Sequence, residues 1–266
     1  MALAIHNARP PLLHVATDRG SGPAVVLLHG VASSSVTFQN VLPLIEGAHR
    51  AITIDLLGFG ESPIPPNAEY TLAEHVLAVS ETIDFLKLRT PFTLVGHSMG
   101  ALIAARYAAR NPKRVDKLVL VSPPIYLSPD ELSDTRDRRA LDFRLKAYQY
   151  IRANQKFTLR NAQIVERLLS IPKAMDINER TWEPFVKSLQ HAIESQTTLS
   201  DLAAVRAPIE IVLGSLDEFQ SEGVTKIVSR MTGVTVHRVR GSDHLIGKRL
   251  ARVVAASIDS APPKAA

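Results

Sequence analysis

The stretch Phe92-Thr93-Leu94-Val95-Gly96-His97-Ser98-Met99-Gly100 decides how this chain is to be read. An apolar run of strand length leads straight into a serine with a glycine two residues before it and another two residues after. Leu102, Ile103 and Tyr107 then continue at helical spacing toward a stop near Asn111-Pro112. A serine on so sharp a strand-to-helix turn must hold strained dihedrals, and neighbours without Cβ let the backbone close around it. The turn lifts the hydroxyl above the sheet edge, and the following helix aims its first amides at the same place. Alone, Gly-x-Ser-x-Gly is weak: at about 7% usage of each residue, roughly one chain in ten of this length carries it by chance. The strand before it and the helix after it give it weight.

Working outward, short Val-, Ile- and Leu-rich runs alternate with longer helical patterns. The strands expected are Leu12–Thr17, Ala24–Leu28, Ala51–Asp55, Phe92–Val95, Lys117–Val121, Ile209–Leu213 and Val234–Val239. Several are apolar without alternation, which implies strands covered on both faces, as in a mostly parallel sheet between helix layers. The turn Arg19-Gly20-Ser21-Gly22 predicts an antiparallel hairpin of the first two strands at the sheet edge. Leu72–Leu88 reads as a helix opened by a capping box of Thr71 and Glu74. Further helices are expected at Glu222–Met231 and from Leu245 to Ile258, with a frayed tail from Ala261 to Ala266. From 124 to 199 strand signals vanish and charge-rich helical patterns replace them, so a helical insertion is expected there. The core would then comprise 1–123 and 200–266.

Composition removes other classes. The chain has 266 residues, 45% hydrophobic and 21% charged, too apolar and too balanced to be disordered. It contains no cysteine, so disulfides, thiolate catalysis and cysteine-bound zinc are all excluded. With no basic, apolar leader at Met1–Asn7, a cytoplasmic location is expected, and no run is long enough for a membrane span. The net charge of +5 is modest. Its one basic concentration, Asp134–Arg167, alternates in sign through Asp134–Arg139 and lacks interleaved stacking aromatics, so it reads as a solvated helix face rather than a nucleic-acid groove. Gly58-Phe59-Gly60 has no third glycine, and Pro63, Pro65 and Pro66 follow, which excludes a dinucleotide loop. There is no His-Glu-x-x-His and no acid-rich calcium loop.

With these features in order, the sequence resembles the α/β-hydrolase family over nearly its whole length. His29-Gly30 follows a strand where that family places its oxyanion loop. Asp55-Leu56-Leu57-Gly58-Phe59-Gly60-Glu61-Ser62 is similar to the family's Asp-x-x-Gly-x-Gly-x-Ser loop. Asp217 stands just beyond Ile209–Leu213, and His244 follows the last strand in Gly241-Ser242-Asp243-His244. Serine, acid, histidine is the family's chain order. The resemblance implies Ser98 as nucleophile, His244 as general base and Asp217 as its orienting acid. The amides of Val31 and Met99 would face the oxyanion, and 124–199 would be a lid. His97 and His29 are expected to be structural, and His29 to brace its loop. Glu218 is a fallback acid, whereas Asp243 adjoins His244 too closely to orient it. Phe219-Gln220-Ser221 departs from the proline that often follows this acid.

The chemistry can be argued without the family. A serine hydroxyl is a weak nucleophile near neutrality and needs a base, and an imidazole with an ordinary pKa near 6.5 suits that task. A carboxylate fixes the ring tautomer and stabilises the imidazolium. The resemblance therefore implies a cofactor-free serine hydrolase, a carboxylesterase acting on a small-molecule ester, thioester or lactone with an apolar acyl part. Serine at the elbow argues against the aspartate-dependent dehalogenases and epoxide hydrolases. His97 before it, and Ala101 after Gly100, resemble esterases more than carbon–carbon bond hydrolases. The latter, perhydrolases and a non-turnover ligand receptor remain the alternatives.

Overall fold

The middle strands are apolar at successive positions, so both faces of the sheet must be covered. The computed structural model describes residues 9–126, 135–168 and 175–260. Among these, seven strands form one sheet: β1 (Val15–Arg19), β2 (Ala24–Leu28), β3 (Arg50–Ile54), β4 (Phe92–His97), β5 (Val115–Val121), β6 (Ile209–Gly214) and β7 (Val234–Val239), in the order β1-β3-β2-β4-β5-β6-β7. All neighbouring strands run parallel except β1 and β3.

The helices are α1 (Leu42–Ile45), α2 (Leu72–Phe85), α3 (Met99–Arg110), α4 (Thr135–Ala153), α5 (Gln155–Leu168), α6 (Trp182–Ser188), α7 (Thr198–Ala204), α8 (Glu222–Val228) and α9 (Lys248–Asp259). Strand side chains alternate between two apolar layers. Val26, Leu28, Leu94 and Leu118 pack with Val79 of α2 and Leu102 of α3. On the other face Val25, Leu27, Val95 and Val119 meet Ile45 of α1 and Leu250 and Val254 of α9. Thr71 and Glu74 close the capping box of α2 as the sequence indicated, each side chain bonding the other's amide at 3.1 Å.

The expected hairpin of the first two strands does not form. β1 pairs antiparallel with β3, and β2 lies between β3 and β4. Burial explains the exchange. Every residue of β2 is buried, so it needs a partner on each edge, whereas β1 alternates toward solvent and suits the sheet margin. Gly20 and Gly22, at φ +82° and +109°, carry the chain against the carbonyls of His49 and Ala48, where no Cβ would fit.

Between β5 and β6 the chain carries α4 to α7 and a π turn at Leu189–Ile193. No helix among the described residues is long and apolar enough to cross a membrane. The start of the chain at 1–7 and the tail at 261–266 lie outside the described residues.

Candidate active site

Ser98 sits between the last residue of β4 and the first of α3, with φ +53° and ψ −123°. Few non-glycine residues adopt a positive φ, and its cost is borne by surrounding structure. That structure is visible. The Ser98 amide donates to the carbonyl of Val121 at 2.9 Å, and its own carbonyl accepts from Ala101. A Cβ on Gly96 would lie 2.4 Å from the Gly100 carbonyl oxygen, and one on Gly100 would lie 2.3 Å from that of Leu28. Only glycine allows the turn to close so tightly. As the first residue of α3, Met99 has no acceptor for its amide within its own helix.

The loop after β2 lies against the serine. A Cβ added to Gly30 would come within 2.9 Å of the Ser98 Cβ, which brings Val31 to the same spot. His29 holds this loop. Its Nε2 accepts from the Leu56 amide at 2.8 Å, so the proton is on Nδ1, which donates to the Gly30 carbonyl at 2.7 Å. Burial, above all, pushes the His29 pKa down, so the ring stays neutral. Asp55 then joins this loop to the one after β3, accepting from the Ser35 amide and hydroxyl at 2.8 and 2.6 Å, the Glu61 amide at 3.1 Å and His14 at 3.0 Å. Burial works to raise the Asp55 pKa, but the hydrogen bonds from Ser35, His14 and Glu61 hold it below the usual carboxylate range.

The other side of the serine carries the second pair. His244 Nδ1 lies 3.0 and 3.1 Å from the two carboxylate oxygens of Asp217. Asp217 also accepts from the Phe219 amide at 3.0 Å and from Gln220 Nε2 at 3.3 Å. Burial would raise its pKa, but the bond to His244 and the amide bring it below the ordinary value. With Nδ1 engaged, Nε2 is the nitrogen His244 has left. Its ring lies between Phe219, 4.6 Å away, and His97, 5.0 Å away. His97 Nε2 donates to the His244 carbonyl at 2.9 Å. Burial, with the nearby His244 ring, pushes the His97 pKa down to about 3, so this neighbour neither charges nor competes as a base.

Ser98 and His244 line one cavity of about 520 Å³, together with Gly30, Val31 and His97. Its remaining wall is mainly apolar and includes Tyr148, Ile151, Ile177, Phe185 and Leu189 from the segment between β5 and β6. Of the aromatic residues in that segment, Tyr148 and Phe185 face the cavity, while Phe143, Tyr150 and Phe157 are exposed. Glu218 and Asp243 reach the wall too, but Asp243 accepts from the Leu245 amide at 3.0 Å and His244 is already bonded to Asp217. The other histidines lie elsewhere: His237 on Glu210 at 2.6 Å, His49 on Asp259 at 2.7 Å, and His75 near Ser188 at 3.1 Å. His6 lies outside the described residues. Among the described residues no group of three or more His, Asp or Glu side chains is placed to hold a metal ion.

Sequence reasoning missed Phe219, which lines the cavity, and Arg144 of α4, which donates to the Glu218 and Phe219 carbonyls behind it. Phe219 follows the acid closely enough to be suspected. Arg144, on a charge-rich helix, carries no local signal.

Comparison with known proteins agrees with this architecture. The chain is 35% identical over 126 residues to "Probable lysophospholipase BODYGUARD 1" of Arabidopsis thaliana, covering 45% of this chain and 27% of that protein. It is 34% identical over 124 residues to the pimeloyl-(acyl-carrier protein) methyl ester esterase of Aeromonas hydrophila, covering 45% and 46%. The matches thus span less than half of either relative. A haloalkane dehalogenase loop variant from Bradyrhizobium elkanii superposes with a TM-score of 0.69 at 21% identity, over 93% of this chain and 96% of that one, a likeness of fold alone. Residues 23–199 match the family model of the alpha/beta hydrolase fold, and the chain belongs to that family.

Proposed function

We propose that this α/β-hydrolase is a serine esterase that cleaves small or medium carboxylic esters, thioesters or lactones through an acyl-enzyme on Ser98. One observation carries the reading: a strained serine and a carboxylate-bound histidine open into the same apolar cavity. A relative named as a methyl ester esterase supports the coarser statement, a hydrolase. In the reaction His244 Nε2 takes the Ser98 proton as Oγ bonds the acyl carbon. The resulting oxyanion faces the amides of Val31 and Met99, where one lost donor costs about 3 kcal/mol. Collapse expels the alcohol, protonated by His244. The same ring then deprotonates a water, which attacks the acyl carbon, releases the acid and restores the serine. Asp217 keeps the Nδ1–H tautomer and stabilises the imidazolium. No step needs a cofactor.

Residues 124–199 act as a lid, and the acyl chain enters the cavity beneath it. Each buried methylene contributes about 0.8 kcal/mol, or roughly fourfold in kcat/KM when realised in the transition state. The gain stops when the close-packed wall is reached. A series of nitrophenyl esters below their micellar concentrations tests this. Activity is expected to climb from acetyl to about butyryl or hexanoyl and to fall for long chains. A steady climb to long chains would overturn the enclosed pocket. No turnover at any length, with Ser98 still labelled by a phosphonate, would overturn the esterase and leave carbon–carbon hydrolysis or a receptor.

A further inference from the structure

The loop carrying the acid departs from its neighbours in what holds it. It has no proline after Asp217, and its Glu218 and Phe219 carbonyls are gripped from outside the sheet. Arg144, on α4, donates to the Glu218 carbonyl at 2.7 Å and to the Phe219 carbonyl at 3.3 Å. The same guanidinium lies 5.0 Å from the centre of the Tyr126 ring and 5.7 Å from that of Phe219. Phe219 in turn lies 4.6 Å from the His244 ring, and His244 lies 5.0 Å from His97. Tyr126, Arg144, Phe219, His244 and His97 therefore form a chain of successive ring contacts from the lid to the elbow.

We propose that Arg144 is a positioning residue for the general base, fixing the Asp217 loop and the Phe219 ring so that His244 keeps its hydrogen bond and its orientation. The proposal rests on the reading of Ser98, Asp217 and His244 given above. The chemistry favours arginine at this place. A planar guanidinium can fork its N–H groups to carbonyls of consecutive residues while its faces meet aromatic rings, a combination a lysine ammonium lacks. Asp217 belongs to the loop after β6, whereas Arg144 belongs to the segment between β5 and β6. Displacing α4 would therefore release the Glu218 and Phe219 carbonyls, and with them the residue whose amide donates to Asp217. The amide of Asp176, in the same segment, donates to the Ala32 carbonyl at 2.7 Å, so the segment holds the loop on the oxyanion side as well.

The test uses the full chain with Arg144→Met, Arg144→Lys, Arg144→Ala and Phe219→Leu. Four quantities are read: kcat and KM on a butyrate nitrophenyl ester, the rate of Ser98 labelling by a small fluorophosphonate, and the urea midpoint. Misplacement of a catalytic group by about 1 Å can cost on the order of a hundredfold. Arg144→Met is expected to lower kcat and labelling together by about thirtyfold, with KM almost unchanged and the urea midpoint near that of wild type. Lysine restores part of the loss, and added guanidinium ion restores part of it in Arg144→Ala. Because both residues act through one contact chain, Phe219→Leu in the Arg144→Met background adds little. Labelling of Arg144→Met at the wild-type rate, a loss confined to KM, or a loss that follows the fraction unfolded would each overturn the proposal. So would full additivity with Phe219→Leu. If instead the wild-type protein fails to label at Ser98, the reading of the site falls, and this inference with it.

Discussion

Ser98 is flanked by two histidine–aspartate pairs built from the same side chains, and only one of them leaves a ring nitrogen for chemistry. Beside the loop after β2 His29 lies 3.9 Å from Asp55 and is fully buried, with both ring nitrogens taken by backbone groups. On the other side His244 lies 3.0 Å from Asp217 and stays 17% exposed, with Nδ1 on the carboxylate and its ring in the cavity wall. A histidine and an aspartate in proximity therefore say little about catalysis. What distinguishes a brace from a base is where the second nitrogen goes, and whether burial leaves the ring able to accept a proton.

The contrast is broken most directly at Asp217. Asp217→Asn is expected to lower kcat by about 10⁴-fold, because the amide favours the wrong imidazole tautomer, while the fold persists. Circular dichroism and steady-state turnover check the two halves. Near-normal turnover would transfer the acid's role to Glu218 or Asp243.

The converse effect is expected from His29→Leu. It leaves the Gly30 carbonyl and the Leu56 amide buried without partners, at a cost of about 3 kcal/mol in stability. The oxyanion loop loosens, and kcat/KM falls by roughly tenfold, well below the loss at Asp217. Urea unfolding together with kinetics gives both numbers. A large activity loss without destabilisation would make His29 part of the chemistry.

Asp55 sharpens the comparison through pH. Its pKa is lowered in the folded protein, so its ionised form stabilises the fold above the ordinary carboxylate value of about 4. That contribution is lost as pH falls through the depressed folded value. Asp55→Asn is accordingly expected to lose about 2 kcal/mol at pH 7 and progressively less below about pH 4, where the wild type sheds the same term. Parallel urea curves for both proteins at every pH would refute this account.

Much of this was legible in the chain because it is local. The elbow declares itself through Gly96, Ser98 and Gly100, and Thr71 and Glu74 mark the start of α2 by direct contact three residues apart. The family assignment rests on such short signals in order. Pairing of β1 was not legible. Gly20 and Gly22 permit a hairpin, and only the need of the fully buried β2 for two partners excludes it, which is a property of the whole sheet. Arg144 was hidden for a similar reason. It stands among alternating charges on α4, and its target carbonyls are at Glu218 and Phe219, some 75 positions away along the chain. The sign pattern that marks α4 as solvated describes its outer face and says nothing of Arg144, which reaches the loop after β6.

The positive φ of Ser98 has a consequence for descent. Where chemistry is no longer under selection, nothing opposes replacement of this residue by glycine, which adopts the same backbone geometry without strain. On the esterase reading proposed above, the positive φ of Ser98 is a strain held in place for the nucleophile. On that reading Ser98→Gly is expected to keep the turn and abolish the reaction.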